Sequence, residues 1–358
     1  MNVTTNVSFT PPSHVTGMLI FSCVVFGVAG VVGTTGNVMT LVTLLKYRPF
    51  QSAEIVLFAN LLLSDMFVTA IADPMSIVVA KRVHASLNSG TERKGNGNAG
   101  YGGNSGPCCW GNGSLEKDDT EISLPPLCVI IGTICTMSCV VSLLTIATIG
   151  VNRYLIVCHS HGFVGKRVQT ITLTCIYGWA ITVVSMTFFG FGRHGFNNKT
   201  HMCLLVQGPS TGSFMVFFVV VCLWTPMMAT LLSYGNLYHR VTKSRQRILA
   251  VTNTFKSNRK RMTQGDSAQL AKTAFIIFSV FVICWFPISV LFLADRHGGV
   301  DPGISILLST FAHIHPSLNF FVFYGTNKRF RNAVRGLLLR KPRHVINNKS
   351  IATITTEM

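Results

Sequence analysis

The sequence predicts an all-α membrane protein, a bundle of seven transmembrane helices followed by a short amphipathic eighth helix. Charged residues make up only 12% of the 358-residue chain, which is about half their usual share in soluble domains. The mean hydropathy is +0.46. The apolar residues are gathered into seven long blocks, and each block is long enough to cross about 30 Å of hydrocarbon.

The apolar blocks define the predicted spans. Because lipid offers no hydrogen bonds to the backbone, only helices and closed barrels can cross it. Continuous apolar runs favour helices over the alternating strands of a barrel. The predicted spans are residues 18–45, 55–80, 125–150, 168–190, 211–237, 271–294 and 302–324. We therefore expect an extracellular tail at 1–17, a membrane domain over 18–340 and a disordered cytoplasmic tail at 341–358.

The distribution of charge predicts the orientation. The formal net charge of +18 would suit nucleic-acid binding if the basic residues formed one patch. They lie instead in loops on one side of an alternating topology, most densely at 240–261 and 328–343. The positive-inside rule makes that side cytoplasmic. We expect a multi-pass protein of the plasma membrane with an extracellular N-terminus, with lipid and not nucleic acid as a partner.

Segments outside the spans carry further predictions. Four N-x-S/T motifs fall on the predicted outer side and are expected to be glycosylated; they begin at Asn2, Asn6, Asn112 and Asn198. The loop 81–124 contains a run rich in glycine and asparagine and is expected to be a flexible insertion. After the seventh span, residues 327–339 repeat apolar positions at helical spacing among basic residues, which predicts an amphipathic helix on the inner leaflet.

Enzymatic and transport functions are not predicted. No nucleophile–base pair and no metal-ligand spacing stands out in the sequence. A channel or transporter would need broken helices or pore-lining charge beyond Asp65, and neither is found.

Landmark residues recur in a fixed order, with at least one on each span. They are Gly36, Asn37, Asn60, Asp65, Cys128, Asn152, Arg153, Tyr154, Trp179, Pro226, Tyr234, Phe281, Cys284, Trp285, Pro287 and Asn319. This pattern resembles the rhodopsin-like (class A) G-protein-coupled receptors over residues 18–340. The resemblance implies that an extracellular small molecule signals through the chain to heterotrimeric G proteins.

The resemblance also implies which residues couple the ligand to the G protein. They are Asn152, Arg153, Tyr154, Tyr234, Leu143, Pro226, Phe281, Trp285, Pro287, Asn319 and Tyr324. Two departures stand out. Asn152 replaces the usual acid beside Arg153, so we expect basal activity unless other contacts hold the resting state. In the seventh span the usual proline is absent and the tyrosine moves one place to Tyr324, which puts its usual contact through water in question.

Two structural features follow from the same resemblance. Cys128 and Cys203 correspond to the family's disulfide. A sodium ion, the one possible cofactor, would bind at Asp65, Ser142 and Asn319, although a protonated His315 could take its place. The sequence leaves three alternatives for the adjacent Cys108 and Cys109: free thiols, an intermolecular disulfide or inert residues.

The expected ligand pocket is apolar with few polar groups, which suits a small and mostly neutral molecule. It comprises Cys135, Thr136, Cys139, Gln207, Phe218, Cys222, Trp285, Ser289, Phe292 and His313. Cys135 stands where amine receptors carry an aspartate. His313 stands where opsins carry the retinal lysine, in an otherwise opsin-like stretch.

Melatonin receptors are the class A receptors that this chain resembles most. They share the Asn152-Arg153-Tyr154 start, the stretch 157–160 and Gln207, although Cys222 and Phe189 replace two of their ligand contacts. The resemblance implies melatonin or another neutral ligand and a G protein of the inhibitory family. The alternatives are an orphan or pseudo-receptor of the same fold, with constitutive or no G-protein signalling, and, less favoured, a membrane transporter.

Overall fold

The computed structural model describes residues 13–46, 55–82, 124–159, 165–197, 199–206, 211–251, 258–295 and 299–339. Seven of its helices are long and apolar enough to cross a membrane. They are α1 (Ser13–Lys46), α2 (Ile55–Arg82), α3 (Leu124–His159), α4 (Lys166–Phe188), α5 (Gly212–Phe217, Phe218–Trp224 and Thr225–Val251), α6 (Asn258–Ala294) and α7 (Pro302–Thr326). A short helix, α8 (Lys328–Leu338), follows. The predicted seven-helix bundle with an eighth helix is confirmed.

Several helices extend beyond their predicted spans. The first helix begins at Ser13, five residues before the predicted span at residue 18. Val15 is buried in a cluster with Phe26, Met202 and Ile306, so packing within the protein supports the first turns of this helix. The predicted glycosylation sites, the glycine-rich run and the tail 341–358 lie outside the described residues.

Two π-helical turns interrupt the spans, at Val68–Ala72 in α2 and at Phe218–Trp224 in α5. Each ends two residues before a proline, Pro74 or Pro226. Proline has no N–H to donate to the carbonyl four residues earlier, and its ring crowds that carbonyl. A π turn inserts one extra residue and relieves the conflict, and it changes which side chains face the bundle. These turns were not predicted from the sequence.

Close packing joins α1 to α7. A Cβ added at Gly36 would lie 2.8 Å from Cβ of Phe320. Nearby, Asn37 Nδ2 donates to the Pro316 carbonyl at 3.0 Å, and the Ser317 hydroxyl donates to the Ala29 carbonyl at 3.0 Å. Small residues and interhelical hydrogen bonds replace the hydrophobic driving force that lipid does not provide.

The eighth helix is amphipathic as predicted. Asn327 begins it, because its Oδ1 accepts hydrogen bonds from the backbone N–H groups of Arg329 and Phe330 at 3.0 and 3.1 Å. Phe330 is fully buried, and its ring centroid lies 5.5 Å from that of Phe323 in α7. Leu338 at the far end is exposed, which suits contact with a lipid surface.

We expect Gly36→Ala to destabilise the protein, because the added methyl group would overlap Phe320 and overpacking typically costs about 1–3 kcal/mol. The matched control is Gly178→Ala in α4, where nothing lies within 4 Å of an added Cβ. The thermal unfolding midpoint of each purified variant checks this. Equal midpoints for the two variants would contradict the close α1–α7 contact.

Candidate functional site

A cavity of about 710 Å³, counting the space open at its mouth, lies among α2, α3, α5, α6 and α7. Most of its walls are apolar. Seven of the predicted pocket residues line it: Cys135, Thr136, Cys139, Phe218, Trp285, Phe292 and His313.

The other three predicted pocket residues are not among its lining residues. Gln207 lies outside the described residues. Cys222 is buried within the π turn of α5, where the regular spacing of about 100° per residue does not hold. The Ser289 hydroxyl donates to the Phe286 carbonyl at 2.7 Å and accepts from the Trp224 indole at 3.0 Å, so it is engaged away from the cavity.

Aromatic rings form the floor of the cavity. The rings of Phe281 and Trp285 stack with their centroids 5.7 Å apart. His315 meets Phe281 edge-on at 4.8 Å and is buried. Among the described residues, no ion pair joins His315 to Asp65, and the alternative in which a protonated His315 takes the place of sodium stays untested. His315 faces the aromatic ring of α6, while Asn319, one turn later, faces Asp65.

A polar cluster surrounds Asp65 below the floor. Its Oδ1 accepts from the Ser142 hydroxyl at 2.6 Å, and its Oδ2 accepts from the Asn319 amide. The hydroxyls of Ser64 and Ser142 lie 2.6 Å apart. One carboxylate with neutral hydroxyl oxygens is a donor set that hard cations take, so these residues fit a hydrated sodium ion.

A second buried carboxylate belongs to Asp73 in α2, which the sequence analysis did not single out. Its Oδ1 lies 2.7 Å from Nδ1 of His313 in α7, and both side chains are almost wholly buried. An acid within an apolar span is rarely without a functional or pairing role. That signal was present in the Asp73-Pro74 sequence inside the second span.

A β-hairpin covers the cavity. Strands β1 (His194–Asn197) and β2 (Met202–Leu205) pair antiparallel. The structure contains the expected disulfide between Cys128 and Cys203, which attaches β2 to α3. The next two residues, Leu204 and Leu205, line the cavity from above. We call this side of the bundle the hairpin end and the opposite side the α8 end.

His194 anchors the hairpin from below. Its Nε2 lies 3.0 Å from the Thr136 hydroxyl of α3, and its Nδ1 lies 3.0 Å from the Thr187 hydroxyl of α4. Burial disfavours the charged imidazolium and lowers the pKa of His194 to about 4. The sequence alone offers no signal for this role, because the contact joins residues that are far apart along the chain.

The hairpin turn reaches the other side of the mouth through Lys199, which forms an ion pair with Asp295 at the end of α6. Asn197 Oδ1 accepts from the backbone N–H groups of Lys199 and Thr200 at 2.9 and 3.3 Å and so shapes the turn. The hairpin is therefore held on both sides of the cavity.

Comparison with known proteins decides the family. The family model of the 7 transmembrane receptor (rhodopsin family) matches residues 119–323. This chain belongs to the rhodopsin family. Since members of that family are receptors, the prediction that the protein is not an enzyme is confirmed, and the transporter alternative is set aside.

Individual relatives refine the comparison. The chain is 25% identical to human melatonin receptor type 1B over 60% of this chain, and the match spans 60% of that receptor's length. It is 23% identical to Gallus gallus melatonin receptor type 1C over 87% of this chain and 81% of that receptor. A crystal structure of squid rhodopsin shares the fold with a TM-score of 0.70 at 18% identity, covering 90% of this chain and 86% of that one. The predicted resemblance to melatonin receptors is confirmed.

The residues expected to couple the two ends of the receptor lie in its core. Leu143 and Phe281 are fully buried, and Pro226 is buried beside them on α5. Asn152 and Arg153 are buried near the α8 end of α3, and Tyr154 is half-buried.

Hydrogen bonds close the α8 end of the receptor. Arg240 of α5 donates to the Cys158 carbonyl of α3 at 2.9 Å. Gln269 of α6 donates to the Thr326 carbonyl of α7 at 3.0 Å, and the hydroxyls of Thr273 and Thr326 lie 2.8 Å apart. These contacts favour the alternative in which bonds other than the usual ion pair hold the resting state.

The displaced tyrosine of the seventh span is directed to α8. The Tyr324 ring lies under the guanidinium of Arg331, with 6.0 Å between them, and stacks on Phe320. Phe323 occupies the buried place in the core against Phe58. Phe323 has no hydroxyl, so at this position the receptor has packing in place of a polar contact.

We expect the receptor to lose stability as pH falls, in part through His194. The folded state keeps its imidazole neutral down to about pH 4, whereas the unfolded chain binds a proton below about pH 6.5. The stabilisation is therefore complete above about pH 6.5 and is lost as pH falls toward 4. In His194→Gln, whose amide can form both hydrogen bonds but does not titrate, the unfolding midpoint should fall less between pH 7.5 and pH 5.

The matched control is His159→Gln, since His159 is exposed at the α8 end. It should keep the pH dependence of the unchanged receptor. The assignment fails if His194→Gln and His159→Gln show the same fall in midpoint.

Proposed function

We propose that this receptor transmits the binding of a small, mostly neutral extracellular molecule to heterotrimeric G proteins of the inhibitory family. The observation that carries the proposal is the cavity under the hairpin, whose walls are mostly apolar with a few polar groups, as is typical of pockets that bind small molecules. No lysine or arginine lines it among the described residues, and Asp65 at its base is already hydrogen-bonded. A charged ligand would lack a partner there.

Signalling follows from a shift between two states. A ligand above the stacked Phe281 and Trp285 would favour the state that fits it better. Phe281 packs in one core with Leu143 and Tyr234, and in this proposal the core acts on Arg153, which is buried near the α8 end of α3. Opening the α8 end requires the contacts of Arg240 and Gln269 to break, which would free Arg153 to bind the G protein. In this proposal the hairpin end is extracellular and the α8 end faces the cytosol.

Melatonin is the first ligand to test, because the relatives named above are melatonin receptors. The choice of the inhibitory G-protein family rests on the same similarity. The replacements at Cys222 and Phe189 argue that a ligand would be held by other contacts than in those receptors.

A second candidate is a receptor of the same fold that signals constitutively or not at all. The seventh span favours it, because Phe323 fills the place of the usual tyrosine and Tyr324 is engaged with Arg331. Such a receptor would change cyclic AMP independently of melatonin, or would not change it at all.

We expect cells that express the receptor to lower their cyclic AMP, in the basal state or with melatonin, and Arg153→Ala to abolish that fall. The guanidinium of Arg153 would provide the contact with the G protein. The matched control is Arg335→Ala, which removes the same charge from an exposed position of α8. No difference between Arg153→Ala and the unchanged receptor, at equal surface expression, would rule out inhibitory coupling.

We also propose that Asp65, Ser142 and Asn319 bind sodium. The purified receptor should unfold at a temperature several degrees higher in sodium chloride than in potassium chloride of equal concentration, because an ion that binds only the folded state stabilises it. Asp65→Asn should remove this difference. An unchanged difference in that variant would exclude the site.

A further inference from the structure

The pair of Asp73 and His313 joins α2 to α7 at the wall of the cavity. Nδ1 of His313 is 2.7 Å from Oδ1 of Asp73, and the two side chains are 7% and 0% exposed. In the part of the chain that the structure describes, His313 is the only ion-pair partner of Asp73. The pair is not part of the polar cluster around Asp65.

The π turn in α2 directs Asp73 into the bundle. At about 100° per residue, the eight positions from Asp65 to Asp73 would turn the two carboxylates about 80° apart on a regular helix. The extra residue of the turn Val68–Ala72 takes up about 100°. Asp73 is thereby brought within about 20° of the face of Asp65.

The ring of His313 is fixed on two sides. Asp73 bonds its Nδ1, and the ring of Phe26 lies 5.1 Å away in a tilted contact. His313 also lines the cavity. Its Nε2 forms no hydrogen bond with any described residue and is not among the fully enclosed polar atoms, and the cavity is the open space that this residue lines.

Electrical neutrality decides what Nε2 presents. A buried pair with a net charge is strongly disfavoured in a low-dielectric interior. A neutral pair holds either a carboxylate with an imidazolium or a carboxylic acid with a neutral imidazole bonded through Nδ1. Both arrangements leave an N–H on Nε2. His313 therefore offers a hydrogen-bond donor to the cavity.

Two further lining groups have donors without partners. Trp285 Nε1 and Ser309 Oγ are buried, and neither has a hydrogen bond within the described ranges. Indole can only donate, and buried groups of this kind are normally satisfied. With donors on its walls and no lysine or arginine among its described lining residues, the cavity suits an uncharged hydrogen-bond acceptor.

We propose that His313, positioned by Asp73, is the polar anchor of the ligand, and that the ligand is an uncharged apolar molecule whose carbonyl or ether oxygen accepts a hydrogen bond from Nε2. This inference rests on the small-ligand function proposed above and deepens it. It places the main polar contact of the ligand on the α2–α7 side of the cavity.

The test uses two probes of similar size, 2-acetylnaphthalene and 2-isopropylnaphthalene, in which a methyl group of the second replaces the carbonyl oxygen of the first. Their affinities for the full-length receptor in lipid nanodiscs are measured by thermal stabilisation. We expect the acetyl probe to bind about tenfold more tightly, as one hydrogen bond would give.

Variants of His313 assign the bond to one nitrogen. His313→Asn keeps an amide for Asp73 but has no atom at the place of Nε2, so the preference for the acetyl probe should disappear. His313→Gln carries an amide N–H near that place and should retain the preference. Asp73→Ala should weaken binding of the acetyl probe without weakening binding of the isopropyl probe, since only the orientation of the imidazole is lost.

Equal affinities of the two probes, binding of neither, or a preference that survives in His313→Asn would overturn the proposal. The result does not depend on the G protein. A receptor that fails the cyclic AMP experiment but prefers the acetyl probe through His313 would refute the proposed signalling and keep the anchor. A receptor that lowers cyclic AMP through Arg153 but shows no preference for the acetyl probe through His313 would refute the anchor and keep the proposed signalling.

Discussion

The need to satisfy buried carboxylates inside lipid constrains this receptor more than any other interaction. An ionised side chain at membrane depth must find its partners within the bundle. Asp65 finds them on α3 and α7, through Ser142 and Asn319, and Asp73 finds His313 on α7. One helix is thereby tied to two others at two depths. Asp65 and His313 both line the cavity, so groups that stabilise the bundle also form polar parts of the candidate site.

The two ends of the receptor are held in different ways. At the hairpin end, the disulfide between Cys128 and Cys203 and the uncharged His194 hold the hairpin to α3 and α4. At the α8 end, separate hydrogen bonds such as that from Arg240 to Cys158 join the helices. Covalent attachment makes the hairpin end resistant to change, while single hydrogen bonds can break at modest cost. A ligand bound near the hairpin would therefore have its largest effect at the α8 end.

The sequence predicted the fold well, and seven of the residues that it proposed for the ligand pocket line one cavity. Long apolar blocks report lipid exposure directly, so the spans followed from composition. Cys135 and His313, on regular stretches of helix, line this cavity. Cys222 lies within the π turn of α5 and does not line it. Whether His315 faces Asp65 or the ring of Phe281 depends on how α7 is rotated against its neighbours.

By itself, the sequence determined the class of this protein: seven apolar helices, an amphipathic eighth helix and a family pattern that includes Arg153. These properties are local, because hydropathy and helical spacing are set by residues near one another. Only the tertiary structure decided that Asp73 pairs with His313 and that His194 supports the hairpin. Such contacts join residues 58 and 240 positions apart, and π turns shift which face each residue presents. No local pattern carries that information, because it depends on how whole helices pack together.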